Sequence, residues 1–170
     1  MKEPFLCEKS QEINEQIKPT ITLLIDADAC PVKDQVYRVM NRYQFKTFVV
    51  ANRFLVLPDE ALIERVIVPS ELDGADDWIV DHVHEASIVI TNDIPLAARI
   101  VRAGGICLSP TGRIFDVNSI GQALAMRNLM EDLRGQGNIT GGPRPFGRKD
   151  RSAFLSALEL AIQRLKRRGY

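Results

Sequence analysis

Short apolar segments rich in β-branched residues alternate along this chain with longer segments whose apolar residues recur at helical spacing. Such alternation predicts parallel strands joined by helices, in a sheet covered on both faces. The predicted strands are residues 20–26, 46–51, 65–68, 87–91 and 106–108. The predicted helices start at Pro31 and then cover residues 75–86, 95–103, 120–133 and 151–168. An α/β fold with a mainly parallel central sheet is therefore expected.

The size and composition of the chain favour one folded domain. Its 170 residues, 45% of them hydrophobic and 26% charged, are typical of a single globular unit. Residues 1–19 are polar and read as an N-terminal extension, whereas residues 20–170 carry the alternating pattern. We expect any bound metal to serve function rather than folding, because a core of this size is stable without a metal ion or a disulfide.

Neither the cysteines nor the apolar runs indicate secretion or a membrane. Cys7, Cys30 and Cys107 are far apart, which argues against a zinc site and a disulfide framework. The apolar runs have strand length, too short for a bilayer. The N-terminus has no signal-peptide pattern. A cytoplasmic protein without membrane association is expected.

Acidic residues follow two of the predicted strands. Asp26 ends the first strand, Asp28 comes two residues later, and Asp93 follows the fourth strand. In parallel sheets, ligands bind beyond the carboxyl ends of the strands. These three side chains are therefore candidates for one shared site.

A fourth carboxylate is chosen by the helical face on which it lies. At 100° per residue, Asp76 shares a sector with Ile79 and Val83, the side that must pack on the sheet. Asp77 falls on the polar side, as an outer partner or a solvated residue. Asp76 is therefore the better ligand candidate.

Several carboxylates in one place repel each other unless a cation joins them. An all-oxygen shell suits Mg²⁺ or Mn²⁺, and two such ions can promote phosphodiester hydrolysis by activating water. We assign Asp26 and Asp93 as direct ligands, Asp76 as a ligand or a bridge, and Asp28 as a ligand acting directly or through water. Asp26, Asp76 and Asp93 are the candidate catalytic residues.

Capping is the competing interpretation for each of these residues, because Asp is common at helix N-termini. Asp28 would cap a helix beginning at Pro31, and Asp93 one beginning near Pro95. Asp150 is likewise the expected N-cap of the helix predicted over residues 151–168. Cys30 lies near a predicted helix N-terminus, where a thiol pKa falls. A small buried thiol is the favoured interpretation of Cys30, since no histidine is close to it in sequence.

The charge is unevenly distributed along the chain. Residues 1–126 carry 12 Lys and Arg against 18 Asp and Glu, and residues 127–170 carry 10 against 4, so the parts have charges of −6 and +6. A basic segment beside an acidic site suits a nucleic-acid backbone, although a solvated helix end explains the charge equally well. Phe146 is the only aromatic residue among the basic ones, which argues against a stacking platform. The candidate substrate-binding residues are Asn52, Arg127, Gly141, Gly142, Arg148 and Arg151.

Several of these motifs together resemble the YaiI/YqxD family of bacterial proteins. The resemblance is carried by Asp-Ala-Asp-Ala-Cys-Pro at 26–31, Val-Ala-Asn at 50–52, Ala-Asp at 75–76, Thr-Asn-Asp-Ile-Pro-Leu-Ala at 91–97, Met-Arg at 126–127, Thr-Gly-Gly-Pro at 140–143 and Asp-Arg at 150–151. The family is grouped with the PIN-like nucleases. It implies a PIN-like three-layer α/β/α sandwich with a C-terminal helical extension, and acidic Mg²⁺ or Mn²⁺ ligands at Asp26, Asp76 and Asp93.

Three functions remain open at this point. The first is a metal-dependent nuclease, acting on RNA by metal-activated water. The second is a phosphatase or phosphotransferase of the haloacid-dehalogenase type, with Asp26 as the nucleophile. The third is a non-catalytic nucleic-acid-binding module. The second is ranked lower than the first, because the lysine and the late acidic pair that it needs are not clear after Asp93.

Overall fold

The computed structural model describes residues 19–69, 74–136 and 145–170. Six strands and five helices follow one another in these ranges. The strands are β1 (Thr22–Asp26), β2 (Lys46–Ala51), β3 (Ile63–Ile67), β4 (Ser87–Ile90), β5 (Ile106–Leu108) and β6 (Ile114–Phe115). The helices are α1 (Lys33–Tyr43), α2 (Gly74–His82), α3 (Ile94–Arg102), α4 (Ile120–Gly135) and α5 (Arg148–Arg167). A single 3₁₀ turn, Ala27–Ala29, links β1 to the segment before α1.

The strands form one sheet in the order β3-β2-β1-β4-β5-β6. All neighbouring strands are parallel except β5 and β6, which are antiparallel. The chain therefore builds outward from β1 to β3, then returns to the other side of β1 and builds outward again from β4. The direction of winding reverses between β1 and β4, which makes this the switch point where α/β sheets form ligand crevices.

Helices cover both faces of the sheet, so the three-layer α/β/α architecture is confirmed. Alternate residues of β1 point to opposite faces, as strand geometry requires. Leu23 and Ile25 join the core cluster that contains α1 and α5, whereas Leu24 joins the one that contains α2, α3 and α4. All three side chains are fully buried. The middle residues of β1 and the last three residues of β4 are apolar because both faces of these strands are covered.

Several bounds of the predicted elements were wrong. Helix α2 ends at His82 rather than residue 86, and β3 spans Ile63–Ile67 rather than residues 65–68. Helix α1 begins at Lys33 rather than Pro31, and α5 begins at Arg148 rather than residue 151. The antiparallel strand β6 was not expected, because two residues are too few to show a period. Within the described ranges, no helix combines the length and the apolar character needed to cross a bilayer. The expected extension, residues 1–19, falls outside the described residues except for Pro19.

Candidate functional site at the carboxyl edge of the sheet

Asp26 is the last residue of β1 and is only partly exposed. Its Oδ2 accepts a hydrogen bond of 2.7 Å from Oγ1 of Thr91. Burial raises the pKa of the Asp26 carboxyl, the Thr91 hydrogen bond lowers it, and the charges of Asp28 and Asp93 raise it further. A carboxylate that is buried beside two like charges is stabilised by a cation.

Thr91 joins the ends of β1 and β4. Its side chain is buried, and its Oγ1 also accepts a 2.9 Å hydrogen bond from the backbone N–H of Asp93. The same hydroxyl therefore orients the Asp26 carboxylate and fixes the turn that carries Asp93. This residue was missed in the sequence, although its position directly after a strand is the signal that could have found it.

Asp93 caps helix α3. Its Oδ1 accepts a 2.8 Å hydrogen bond from the backbone N–H of Leu96, and Pro95 lies in the first turn of the helix. The capping interpretation of Asp93 is thus confirmed. The cap also fixes the position of this carboxylate at the end of β4, beside Asp26.

Asp28 does not cap a helix. It lies in the 3₁₀ turn after β1, whereas the N-cap of α1 is Val32, which makes no side-chain capping hydrogen bond. The capping interpretation of Asp28 was therefore wrong. Its partly exposed carboxylate instead lies 3.9 Å from Nε of Arg53, which follows β2.

Asp76 and Asp77 differ in exposure, as their helical faces predict. Asp76 is half-buried in the first turn of α2, whereas Asp77 is exposed and lies 2.6 Å from Nη2 of Arg99 on α3. Asp77 is thus the outer residue of the two, and its ion pair joins two helices on the same side of the sheet.

The four candidate ligands do not form a closed carboxylate cage. Within residues 19–69, 74–136 and 145–170, no group of three or more His, Cys, Asp or Glu side chains lies close enough to hold an ion. Mg²⁺ is commonly held by one or two carboxylates and keeps several waters. Asp26 and its acidic neighbours fit an ion bound in that open manner, and not one bound by all four carboxylates together.

A cleft of about 750 Å³ opens beside the end of β1, and Asp28 is the one candidate ligand that lines it. Its wall begins at Ala27, next to Asp26, and includes Asn92, between Thr91 and Asp93. Two cations, Lys33 and Arg53, line it. The remaining wall residues are Asp28, Cys30, Pro31, Leu55, Pro110, Thr111, Phe146 and Asp150. The volume falls within the range of roughly 300–1,000 Å³ that small-molecule sites occupy.

The cleft contains residues that had not been chosen from the sequence. Arg53 is the second residue after β2, so its strand-end position could have identified it. Lys33 lies in the first turn of α1, beyond the 3₁₀ turn that follows β1, where no strand-end signal marks it. Thr111 and Phe146 enter the wall from the β5–β6 connection and from the segment before α5, and no local pattern relates these segments to β1.

None of the four candidate substrate-binding residues that the structure describes lines the cleft. Asn52 is exposed after β2, and its neighbour Arg53 is the residue that lines the cleft. Arg127 on α4 forms an ion pair of 2.9 Å with Glu131. Arg148 and Arg151 are exposed at the start of α5, close to the cleft residues Phe146 and Asp150. Gly141 and Gly142 lie outside the described residues.

Cys30 is a buried thiol in the wall of the cleft. It is 7% exposed, and burial raises its pKa to about 11. The thiolate needed for nucleophilic attack is therefore scarce at neutral pH. The interpretation of Cys30 as a small buried side chain is confirmed.

Asp150 has a different helix-start role from the one expected. Helix α5 has Gly147 as its N-cap, and Oδ2 of Asp150 accepts a 2.8 Å hydrogen bond from the backbone N–H of Gly147. The expectation that Asp150 itself is the N-cap was wrong, because the helix begins one turn earlier. The carboxylate reaches back and closes the first turn, as an acidic residue three positions after a cap does.

Comparison with known proteins places most of this chain in one family. Residues 24–164 match the model of the uncharacterized YaiI/YqxD family. A UPF0178 protein of Bartonella henselae is 75% identical over 148 residues, which is 87% of this chain and 100% of the relative. A UPF0178 protein of Brucella ovis is 54% identical over 152 residues, 89% of this chain and 94% of the relative. The chain therefore belongs to the uncharacterized YaiI/YqxD family.

Proposed function

We propose that this protein is a divalent-metal-dependent nuclease that acts on RNA, with Asp26 as its central metal ligand. One observation carries the proposal. The switch point between β1 and β4 holds the Asp26 carboxylate next to Asp28 and Asp93, and a cleft that opens beside it is lined by Lys33 and Arg53. Metal-dependent hydrolysis of a phosphodiester needs carboxylates that bind the metal ion and positively charged side chains that bind the phosphate.

The chain's own residues would prepare this chemistry in three ways. Thr91 holds the Asp26 carboxylate in one orientation through its 2.7 Å hydrogen bond. Asp93 is held by its cap on α3, so two carboxylates are fixed at neighbouring strand ends. Lys33 and Arg53 would attract the phosphate group of the substrate. A bound Mg²⁺ or Mn²⁺ would supply water activation and stabilisation of the leaving oxygen.

The test is cleavage of end-labelled single-stranded RNA, single-stranded DNA and a generic phosphomonoester, each with Mn²⁺ or with EDTA. We expect Mn²⁺-dependent cleavage of RNA, which EDTA abolishes. Asp26→Asn should lower the rate by at least about 100-fold, because removing one strong electrostatic contribution to a transition state commonly costs that much. Asp81→Asn is the matched control, since Asp81 is exposed in the last turn of α2.

Two results would overturn the proposal. Turnover of the phosphomonoester without cleavage of RNA, with a phosphoenzyme trapped at Asp26, would identify a phosphotransferase. RNA binding that persists in Asp26→Asn, with no cleavage by the wild-type protein under either condition, would identify a binding module.

A further inference from the structure

Most side chains of the cleft wall do not carry charge. Apolar groups come from Ala27, Leu55, Pro110 and Phe146. Phosphate chemistry alone does not need such a wall, since a phosphate requires only cations and hydrogen-bond donors. The apolar part of the wall can contact a ligand group that has an apolar face, as the walls of small-molecule sites commonly do.

Phe146 is the aromatic ring of this wall. It is partly buried and packs against the core cluster on the α1 and α5 side of the sheet. The guanidinium of Arg151 lies 5.6 Å from the centre of its ring. A ring that the core holds in place can stack on a flat ligand without losing side-chain freedom. Although Phe146 is the single aromatic residue among the basic ones, one ring can stack on one base when the core holds that ring in place.

Cations for a phosphate belong to the same cleft. Lys33 and Arg53 both line it, and neither is buried. The distance of 3.9 Å between Arg53 and Asp28 is a loose contact, so the guanidinium can turn toward a ligand at little cost. Thr111 adds a hydroxyl to the wall. One flat apolar surface, two cations and a hydroxyl match the base, the phosphate and the sugar of a nucleotide.

We propose that the cleft binds one nucleotide of a single-stranded nucleic acid, with its base on Phe146 and its phosphate at Lys33 and Arg53. The proposal rests on the proposed function, because it names the substrate part that enters the cleft beside Asp26. A base can reach Phe146 only when it is unpaired, so the cleft selects single strands over duplexes. Stacking does not depend on base identity, since every base has a π face.

The test measures binding in EDTA, so that its outcome does not depend on metal or on cleavage. Titration calorimetry would compare AMP and UMP with ribose 5-phosphate, which lacks the base. We expect both nucleotides to bind at least about fivefold more tightly than ribose 5-phosphate, the lower end of one base–aromatic stacking contact. A single-stranded tetranucleotide should bind at least as tightly as AMP, and a blunt duplex much more weakly.

Three variants assign the contacts. Phe146→Leu keeps an apolar side chain in the core but removes the ring, so it should abolish the preference for AMP over ribose 5-phosphate. Phe146→Trp should restore that preference. Phe54→Ala is the matched control, because Phe54 is 66% exposed and also has a guanidinium, that of Arg65, 4.3 Å from its ring centre. Arg53→Gln should weaken AMP and ribose 5-phosphate to the same extent.

Several outcomes would overturn the proposed nucleotide site without contradicting the proposed nuclease activity. Equal affinity for AMP and ribose 5-phosphate would show that no base is bound. An unchanged preference in Phe146→Leu would place the base elsewhere. Binding of AMP without binding of the tetranucleotide would make the cleft a site for free nucleotides. Conversely, if the wild-type protein binds AMP but shows no Mn²⁺-dependent cleavage of RNA, the proposed nuclease activity is contradicted and the proposed nucleotide site is not.

Discussion

A single carboxyl group, that of Asp26, works against the stability of the fold that carries it. Desolvation of the partly buried group and the charges of its acidic neighbours raise its pKa, and the hydrogen bond from Thr91 compensates only in part. Functional residues often carry such a cost, since activity needs groups that the folded core does not prefer.

Replacing Asp26 by Asn should therefore stabilise the metal-free protein at neutral pH. The folded-state pKa lies above the unfolded value of 3.8, so the ionised group destabilises the fold above the folded-state pKa. The penalty should fade as the pH drops from the folded-state pKa toward 3.8. We expect Tm in EDTA to rise by roughly 2–4 °C for each kcal/mol of destabilisation that the substitution removes. This increase in Tm should become smaller at acidic pH. A lower Tm for Asp26→Asn at pH 7 would contradict this explanation.

Asp93 combines a structural and a proposed chemical role that two substitutions can separate. Asn caps helices as well as Asp does, so Asp93→Asn should keep the hydrogen bond to Leu96 and the wild-type Tm. Asp93→Ala loses the cap and should cost about 1 kcal/mol. If Asp93 also binds the metal, both variants should lose Mn²⁺-dependent cleavage. Urea unfolding and the cleavage assay measure the two effects, and an active Asp93→Asn variant would leave Asp93 as a cap alone.

At the scale of elements, the connection between β5 and β6 brings part of the cleft wall against α5. The backbone N–H of Gly112 donates to the carbonyl of Ser109, which closes the turn that carries Pro110 and Thr111. Gly112 has a φ of 87°, and a Cβ there would lie 2.6 Å from the backbone carbonyl carbon of Ala153 on α5. The turn therefore requires glycine for two independent reasons.

Gly112→Ala should destabilise the protein by roughly 1–3 kcal/mol, through backbone strain and through displacement of α5. Gly121→Ala is the control, because Gly121 lies in helix α4 and a Cβ there meets nothing within 4 Å. That substitution should be neutral or stabilise by up to about 1 kcal/mol. Chemical denaturation of the two variants measures the difference. Equal stabilities would mean that the turn and α5 can separate without cost.

At the scale of the whole molecule, the helix α5 carries basic residues at both of its ends. Arg148 and Arg151 lie at the start, near the cleft, and Arg164 and Arg167 lie at the end. Sixteen residues of helix separate Arg148 from Arg164, a distance of roughly 24 Å. Two arginines from each end of the helix thus provide a comparison in which the charge removed is equal and the position differs.

The double variant R148Q/R151Q should weaken RNA binding and lower the slope of log K against log salt by roughly 1 to 2, since each phosphate contact contributes about 0.7 for a single strand. The variant R164Q/R167Q, with the same loss of charge, should change neither quantity by as much. Fluorescence anisotropy with labelled RNA in EDTA at several salt concentrations gives both. Equal effects of the two variants would show that the basic C-terminal part acts only through net charge.

Local patterns predicted much of the architecture, because they report short-range physics. Hydrophobic periodicity located β2 and β5 at their observed bounds and chose the outer side of α2 for Asp77. Strand β6 was not predicted, because two residues are too few to show a hydrophobic period. The helix caps were predicted only in part. Asp93 and Asp28 precede a proline by two and three residues, respectively. Only Asp93 caps a helix, because α3 begins directly after it, whereas Asp28 lies in a 3₁₀ turn that separates β1 from α1.

The amino-acid sequence by itself determined that the central strands β1 and β4 are buried on both faces and that Asp26 and Asp93 stand at strand ends, since both properties depend on neighbouring residues. Only the tertiary structure decided that β1 and β4 are adjacent, that Thr91 links their carboxyl ends, and that Phe146 shares a cleft with Lys33 and Arg53. Strand order depends on pairing between residues distant in the chain, and so does the presence of Ala27, next to β1, and Asp150 of α5 in one cleft. These contacts arise from how the layers pack, which no local periodicity encodes.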